Sequence, residues 1–333
     1  DHDVHDDWNI SEAWTEEVRS RAWWEERIIG ALVSYWIYQH LGNLSPAELE
    51  QDSLYQQVRA ADDGESLLRE FALRADREAG GSLWSFSRRI VNSRLLVLDS
   101  REGRVLGRGQ RAMLDEEEWR WAEAQLSGDF DHFLVVSTLP VLLPPTLHYL
   151  EAWNEAVCDG AWGKLAARIG EKVRRAIDLE HWAAFQDSFH RLVRTLEELA
   201  SGRRGRPPAS IVLLGGDIHQ AYVAEVAFRD AARAKSLVYQ AVCSPFRHPL
   251  SKRERTAFRV ARHSRTLRWL TQRMAHGAGV RDPTVRWRDL QEPTFDNQVA
   301  WVRLDGRQLS LTIEHVRPGD GQALEATFER RLA

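Results

Sequence analysis

Cysteine is nearly absent from the chain: among 333 residues only Cys158 and Cys243 carry a thiol, and they lie far apart. That excludes a disulfide framework and a cysteine-ligated zinc module, both of which need thiols in close, repeated spacings. Lysine is also scarce, confined to Lys164, Lys172, Lys235 and Lys252, so arginine carries nearly all the basic charge. Codon bias accounts for that better than function does. No uninterrupted apolar run is long enough to span a bilayer, since the stretch from Trp23 to Leu44 is broken by Glu25, Glu26, Arg27, Gln39 and His40. Nor is there a surplus of one charge. A formal net charge of −4 gives no general attraction to nucleic acid or anionic membranes, so affinity for phosphate must come from a local site. Internal repeats and low-complexity segments are missing too. What remains, 43% hydrophobic and 28% charged residues, is an ordinary globular composition with enough chain to bury a full core.

Residues 11–76 read as helical, with Trp23, Ile28, Leu32, Tyr35 and Trp36 recurring at helical spacing. Ser45-Pro46-Ala47-Glu48 carries the cap, first-turn proline and third-position Glu of a helix start. Tryptophans concentrated in such helices are expected in cores and helix contacts rather than as stacking platforms. Apolar runs at 94–101 and 132–138 predict strands covered on both faces, with a helix at 115–126 between them. Helices are expected over 147–200 and, in an Arg-rich stretch, over 252–275, with strands at 211–214, 221–228 and 237–243. A closing hairpin is predicted from 298–304 and 308–315, joined by Asp305-Gly306-Arg307.

Chemistry-bearing residues gather in two places. Ile211-Val212-Leu213-Leu214 runs into Gly215-Gly216-Asp217-Ile218-His219. A carboxylate and an imidazole two residues apart, after two glycines that permit a sharp turn at a strand's carboxyl end, suit a pair of metal ligands. A capping Asp and a hydrogen-bonded His are the alternative. The second cluster is Asp1-His2-Asp3-Val4-His5-Asp6-Asp7-Trp8-Asn9. Asp1 could supply an anionic ligand, His2 a general acid and Asp3 its orienting partner. Asp6, Asp7 and Asn9 are read as caps of the helix beginning near Ser11, or as support for the site.

Arg101 and Arg104, just past a strand, could hold a phosphate through paired hydrogen bonds or pair with surface carboxylates. His181 and His190 fall in a helical run and are read as packing histidines. Ser244 has no base beside it in sequence and is not read as a nucleophile. The run of Arg253, Arg255, Arg259, Arg262, Arg265, Arg268 and Arg273 is read as solvated helix surface rather than a nucleic-acid face, given the negative net charge.

Four segments in order resemble the alkaline phosphatase D (PhoD-like) metallophosphatases of the calcineurin-like superfamily. They are Asp1-His2-Asp3-Val4 with Asp6-Asp7-Trp8-Asn9, Leu98-Asp99-Ser100-Arg101 with Arg104, Glu180-His181-Trp182 with Phe185, and Leu214-Gly215-Gly216-Asp217-Ile218-His219. The resemblance spans essentially the whole chain. It implies an α/β fold, a calcineurin-like four-layer α/β/β/α sandwich with large helical insertions at about 11–76 and 147–200, forming one metallophosphatase domain over 1–333. It also implies a multinuclear centre of iron and calcium, with manganese or zinc possible. Asp1, Asp217 and His219 would be metal ligands, His2 would protonate the leaving group, and Arg101 would touch substrate. The implied activity is phosphate monoester hydrolysis by in-line attack of a metal-activated hydroxide on a small-molecule or lipid phosphate ester. Phosphodiesterase or phospholipase-type activity, or a catalytically inactive family member acting as a binding protein, are the alternatives. No nucleic-acid partner and no transmembrane segment are expected, while oligomeric state and compartment stay open. The chain has no initiator Met and lacks the Gly-Asp-x-x-Tyr segment that the family carries after an N-terminal strand. It is therefore expected to be the C-terminal portion of a longer enzyme, without its N-terminal strands and inactive alone.

Overall fold

The computed structural model describes residues 4–5, 7–78, 80, 82–229, 234–247, 250–316 and 323–333. The chain forms two compact units, 1–86 with 99–120, and 87–98 with 121–333.

The first unit is built on helices: α1 (Glu12–Arg19), α2 (Trp24–Tyr35), α3 (Leu41–Asn43), α4 (Pro46–Gln51), α5 (Ser53–Ala60) and α6 (Glu65–Arg77). A π-helical turn, Trp36–His40, joins α2 to α3. Trp14, Trp24, Ile28, Leu32, Trp36, Phe71 and Trp84 share one buried cluster. Tyr35, His40 and Phe71 all meet Trp84 edge-on, a geometry worth about 0.5–1.5 kcal/mol per pair beyond burial. Tryptophan is thus core material here, as the sequence suggests. Ser45 forms the expected capping box: its Oγ accepts from the Glu48 N–H, and the Glu48 carboxylate accepts from the Ser45 N–H at 2.6 Å. The start of α1 differs from expectation. Ser11 is its cap, accepting from the Trp14 N–H at 3.3 Å, while Asn9 donates to the carbonyls of Arg101 and Glu102; Asp6 lies outside the described residues.

The second unit carries a seven-stranded sheet of order β1-β2-β3-β4-β6-β5-β7. Its strands are β1 (Phe86–Ile90), β2 (Ser93–Leu98), β3 (His132–Ser137), β4 (Ser210–Gly215), β5 (Tyr222–Phe228), β6 (Leu237–Val242) and β7 (Val285–Asp289). β2, β3, β4 and β6 are parallel neighbours aligned from Ser93, His132, Ser210 and Leu237 onward, so their carboxyl ends form one edge. β5 runs antiparallel to β6 and β7. A smaller antiparallel sheet holds β8 (Gln298–Asp305), β9 (Gln308–Val316) and β10 (Leu324–Arg331). The turn at Asp305-Gly306-Arg307 falls as predicted, with Gly306 at φ 56°.

The two sheets pack face to face. Leu134, Val212, Val223 and Ala241 of the large sheet meet Leu309, Leu311 and Ile313 of β9 and Phe328 of β10. Alternation sends Phe133, Val135, Ile211 and Leu213, all at most 3% exposed, to the opposite face. With both faces covered, β3 and β4 read as unbroken apolar runs. Beyond the smaller sheet Trp301 is 56% exposed. The outer helical layer of the expected four-layer sandwich is not among the described residues of this unit.

The remaining helices are α7 (Glu116–Ala124), α8 (Pro145–Cys158), α9 (Gly163–Ala176), α10 (Gln186–Ser201), α11 (Lys252–His263) and α12 (Arg265–Gly277). Two readings change here. The stretch 147–200 is interrupted after α9, which puts His181 in the connection before a 3-10 turn, Trp182–Ala184; His190 does lie in a helix. The Arg-rich stretch breaks at Ser264, the cap of α12, and it is only partly solvated. Arg255 pairs with Asp296 and Arg262 with Asp289, while Arg262 also stacks over Tyr222 and Arg259 over Phe295. Among the described residues no helix is long and apolar enough to cross a membrane.

Candidate active site

The carboxyl edge of a parallel sheet is where open α/β folds bind ligands, because strand ends and the following loops converge there. In the second unit this edge gathers the exits of β3, β4 and β6. The Gly216 N–H donates to the Thr138 carbonyl at 3.0 Å and the Cys243 N–H to the Gly215 carbonyl at 3.1 Å, which ties the three exits together.

The glycines of this loop serve close approach, not an unusual turn. A Cβ on Gly215 would stand 3.2 Å from the Pro140 Cα, and neither Gly215 nor Gly216 has a positive φ. The left-handed conformation falls instead on the residues singled out for chemistry, Asp217 at φ 58° and His219 at φ 52°. Each such non-glycine residue costs on the order of 1 kcal/mol or more, and such strain persists where surrounding structure enforces it. Enforcement is visible between them. Ile218 is 6% exposed and packs with Tyr222, Ala224 and Val242, and the His219 N–H donates to Ser244 Oγ at 3.2 Å. The Ser244 carbonyl in turn accepts from Gln298 Nε2 at 2.8 Å. Ser244 therefore anchors the loop. Beside it, burial pushes the Cys243 thiol up to about 11, which keeps it protonated at neutral pH.

A residue that the sequence reading assigned to packing stands at the same edge. His181 precedes Trp182, whose indole N–H donates to Ser137 Oγ, the last residue of β3, at 2.9 Å. The His181 Nδ1–H donates to Glu151 Oε1 at 2.7 Å, from a carboxylate only 3% exposed on α8. Its other ring nitrogen, Nε2, is buried and meets no partner among the described residues. Burial alone would lower its proton affinity, but the charges of Glu151, Glu180 and Asp217 outweigh that and hold its pKa above the ordinary value. A carboxylate that fixes one ring nitrogen and leaves the other pointing free is how histidine is prepared to bind an ion or an anionic oxygen. Glu151 carried no local signal in sequence. It is one more carboxylate of a helix, and only the crossing of α8 with the 180–182 connection reveals it.

Asp1 and His2 lie outside the described residues. Arg101 belongs to the first unit, where it is 7% exposed and its guanidinium reaches the Trp8 carbonyl at 3.4 Å. Among the described residues no three His, Cys, Asp or Glu side chains form a group that could hold a metal ion.

No protein-family model matches the chain, and no curated protein does. It is similar to a solved structure titled "Structure of PhoD", with a TM-score of 0.41 and 10% sequence identity. That likeness covers 82% of this chain and 51% of the other, so the chain spans about half its length. A likeness this loose carries no weight for fold or chemistry.

Proposed function

We propose that the chain is part of a metal-dependent phosphoric ester hydrolase of the PhoD-like kind, within a longer parent enzyme whose full sandwich has four layers. Its leading substrate is a small-molecule or lipid phosphate monoester, with diesters second. The observation that carries this reading is the strained pair Asp217 and His219, held on either side of buried Ile218 at the carboxyl end of β4. Strain kept on a carboxylate and an imidazole at the carboxyl edge of a parallel sheet supports a site for an ion or a phosphoryl group, because strained backbone clusters at active sites and ligand clamps.

The donor set suits the implied metals. Carboxylate oxygen and imidazole nitrogen accept iron, manganese or zinc, and the carboxylate accepts calcium. Asp217 and His219 would contribute two ligands, and Asp1 a third. When bound, the metal supplies Lewis-acid polarisation of the phosphoryl group. The chain's own residues do the remaining work. Glu151 orients His181, whose Nε2 is buried and meets no partner among the described residues. His2 protonates the leaving oxygen, and Arg101, whose guanidinium also holds the Trp8 carbonyl, contacts the substrate.

The test is hydrolysis of p-nitrophenyl phosphate and of bis(p-nitrophenyl) phosphate by the parent polypeptide, with iron, calcium, manganese or zinc added in turn. Metal-dependent turnover abolished by Asp217→Ala and by His2→Ala is the expected result. Turnover undiminished in both variants removes the site assignment, and no turnover with any metal favours an inactive, binding role.

A further inference from the structure

Helix α9 turns its larger apolar side chains outward. Its buried side is small or polar, made of Ala167, Gly170 and Arg174. The Gly170 carbonyl accepts from Asn154 Nδ2 at 2.9 Å, and a Cβ there would stand 3.0 Å from Cys158 Sγ. Arg174 reaches the Asn154 side chain from its Nε at 3.2 Å and Glu171 from its Nη1 at 3.2 Å. This is a specific docking against α8, so the helix cannot roll to bury its other side. Solvent consequently meets Leu165 at 72% exposure and Ile169 at 57%, with Trp162 at 45% beside them. The Trp162 indole N–H is fixed on the Gly277 carbonyl at 3.0 Å, so its ring is held at the rim.

Cations border this apolar strip. Lys164, Arg168 and Lys172 recur every four residues, each one position before Leu165, Ile169 and Val173, so they form a parallel row on the same side. All three are exposed, and among the described residues none has a carboxylate partner. Glu171, the one acidic residue of the helix, is engaged with Arg174. The core of a protein interface is depleted in lysine. An apolar strip flanked by unpaired lysine and arginine is instead what a helix lying in a bilayer interface presents, with aliphatic side chains among the acyl chains and cations at the headgroups. The net charge of −4 does not oppose this, because fields at a surface act within about 8 Å at physiological salt.

We infer that the outward face of α9 docks on an anionic lipid surface, with Leu165, Ile169 and Trp162 entering the interface and Lys164, Arg168 and Lys172 contacting acidic headgroups. The site is independent of the proposed catalytic edge.

The experiment is co-sedimentation of the 333-residue chain with phosphatidylcholine vesicles, with and without phosphatidylserine. Binding is expected only with phosphatidylserine, and high salt should release the protein. Replacing Lys164, Arg168 and Lys172 together by Gln should weaken binding on the order of 100-fold, and Leu165→Glu with Ile169→Glu by about 10-fold or more. Both variants should keep the wild-type Tm, since the changed side chains are exposed, so lost binding cannot be ascribed to unfolding. Equal binding to both vesicle types, or binding untouched by either variant, overturns the inference. So does a dimer in light scattering that Leu165→Glu dissociates, which would give the face to a second copy of the chain.

Discussion

The two units put polar groups to opposite uses. In the first, charge holds backbone. Arg101, Arg104 and Arg111, each at most 7% exposed, donate to the carbonyls of Trp8, Asn9 and Ile10 in turn, and the Asp99 carboxylate accepts from the N–H groups of Arg101, Glu102 and Gly103. In the second, backbone holds charge. Asp217 and His219 sit in left-handed conformations within an anchored loop, and Glu151 fixes an imidazole whose far nitrogen meets no partner among the described residues. Charge that satisfies carbonyls stabilises the chain's path. Strain that presents side chains does not, and what sets Asp217 and His219 apart from the other left-handed non-glycine residues among those described, Asn9, Val91 and Asp178, is their place at the carboxyl edge of the parallel sheet, where chemistry is expected.

The sharpest way to break this contrast is activity. Asp217→Ala should lower metal-dependent phosphate ester turnover on the order of 100-fold or more, while Glu118→Gln in the first unit should leave it unchanged. Equal losses in the two would erase the distinction between scaffold and site.

Stability comes next. Glu151→Ala leaves the buried His181 ring without the carboxylate that outweighs its burial, and breaking such a pair costs about 3 kcal/mol, to be read as a lower urea midpoint at constant slope. Glu151→Gln, which keeps an acceptor, should lose less. If both variants unfold at the wild-type midpoint, the pair does not orient His181.

The pH dependence probes the first unit. Burial, followed by the neighbouring Asp99 charge and with Asp115 adding in the same sense, pushes Glu118 up to about 9, while hydrogen bonding to Ser85 works the other way. Burial and Asp99 likewise raise Glu102. A carboxyl raised in the folded state binds its proton more tightly than the unfolded chain does. Its contribution is therefore full below the unfolded pKa of about 4.5 and is lost as pH rises toward the folded value. Urea stability should fall between roughly pH 5 and pH 9, and Glu118→Gln should flatten that fall. A wild-type profile that rises across this range would show these carboxylates to be ionised.

The smallest effect is the most telling for the site. Asp217→Gly and His219→Gly remove left-handed strain at the cost of chain entropy, so each should leave stability unchanged or raise it by up to about 1 kcal/mol while removing activity. A clear loss of stability in either would make that side chain structural. Gly215→Ala, whose new methyl would press on Pro140, should instead destabilise by about 1–3 kcal/mol.

Much of this was legible in the residues. β3 and β4 announced themselves as unbroken apolar runs because both faces of the large sheet are covered. Asp305-Gly306 marked the hairpin turn, Ser45 and Glu48 the helix start, and the spacing of Asp217 and His219 after a strand marked the candidate site. β1, β7 and β10 went unread. β7, Val285–Asp289, alternates charged and apolar residues as a partly exposed strand does, and most of β10 faces solvent, so neither carries the apolar run by which buried strands are recognised. The helical setting expected for His181 fails for a related reason, although the side chain is part-buried and hydrogen-bonded as a packing histidine is. Its neighbours look helical, and the chain leaves helix over residues 177–181 without a proline or glycine in that stretch to announce it.

By itself the sequence determined what depends on near neighbours: which segments prefer helix or strand, where turns fall, and that a carboxylate and an imidazole follow a buried strand. Local sterics and hydrophobic periodicity act over a few residues, and they are written in order along the chain. Only the tertiary structure decided that strain falls on Asp217 and His219 rather than on the glycines before them, that Glu151 meets His181, and that α9 docks by its small face and leaves Leu165 and Ile169 outside. Each is a contact or constraint between distant segments, set by how whole elements pack, and no window of sequence contains both partners.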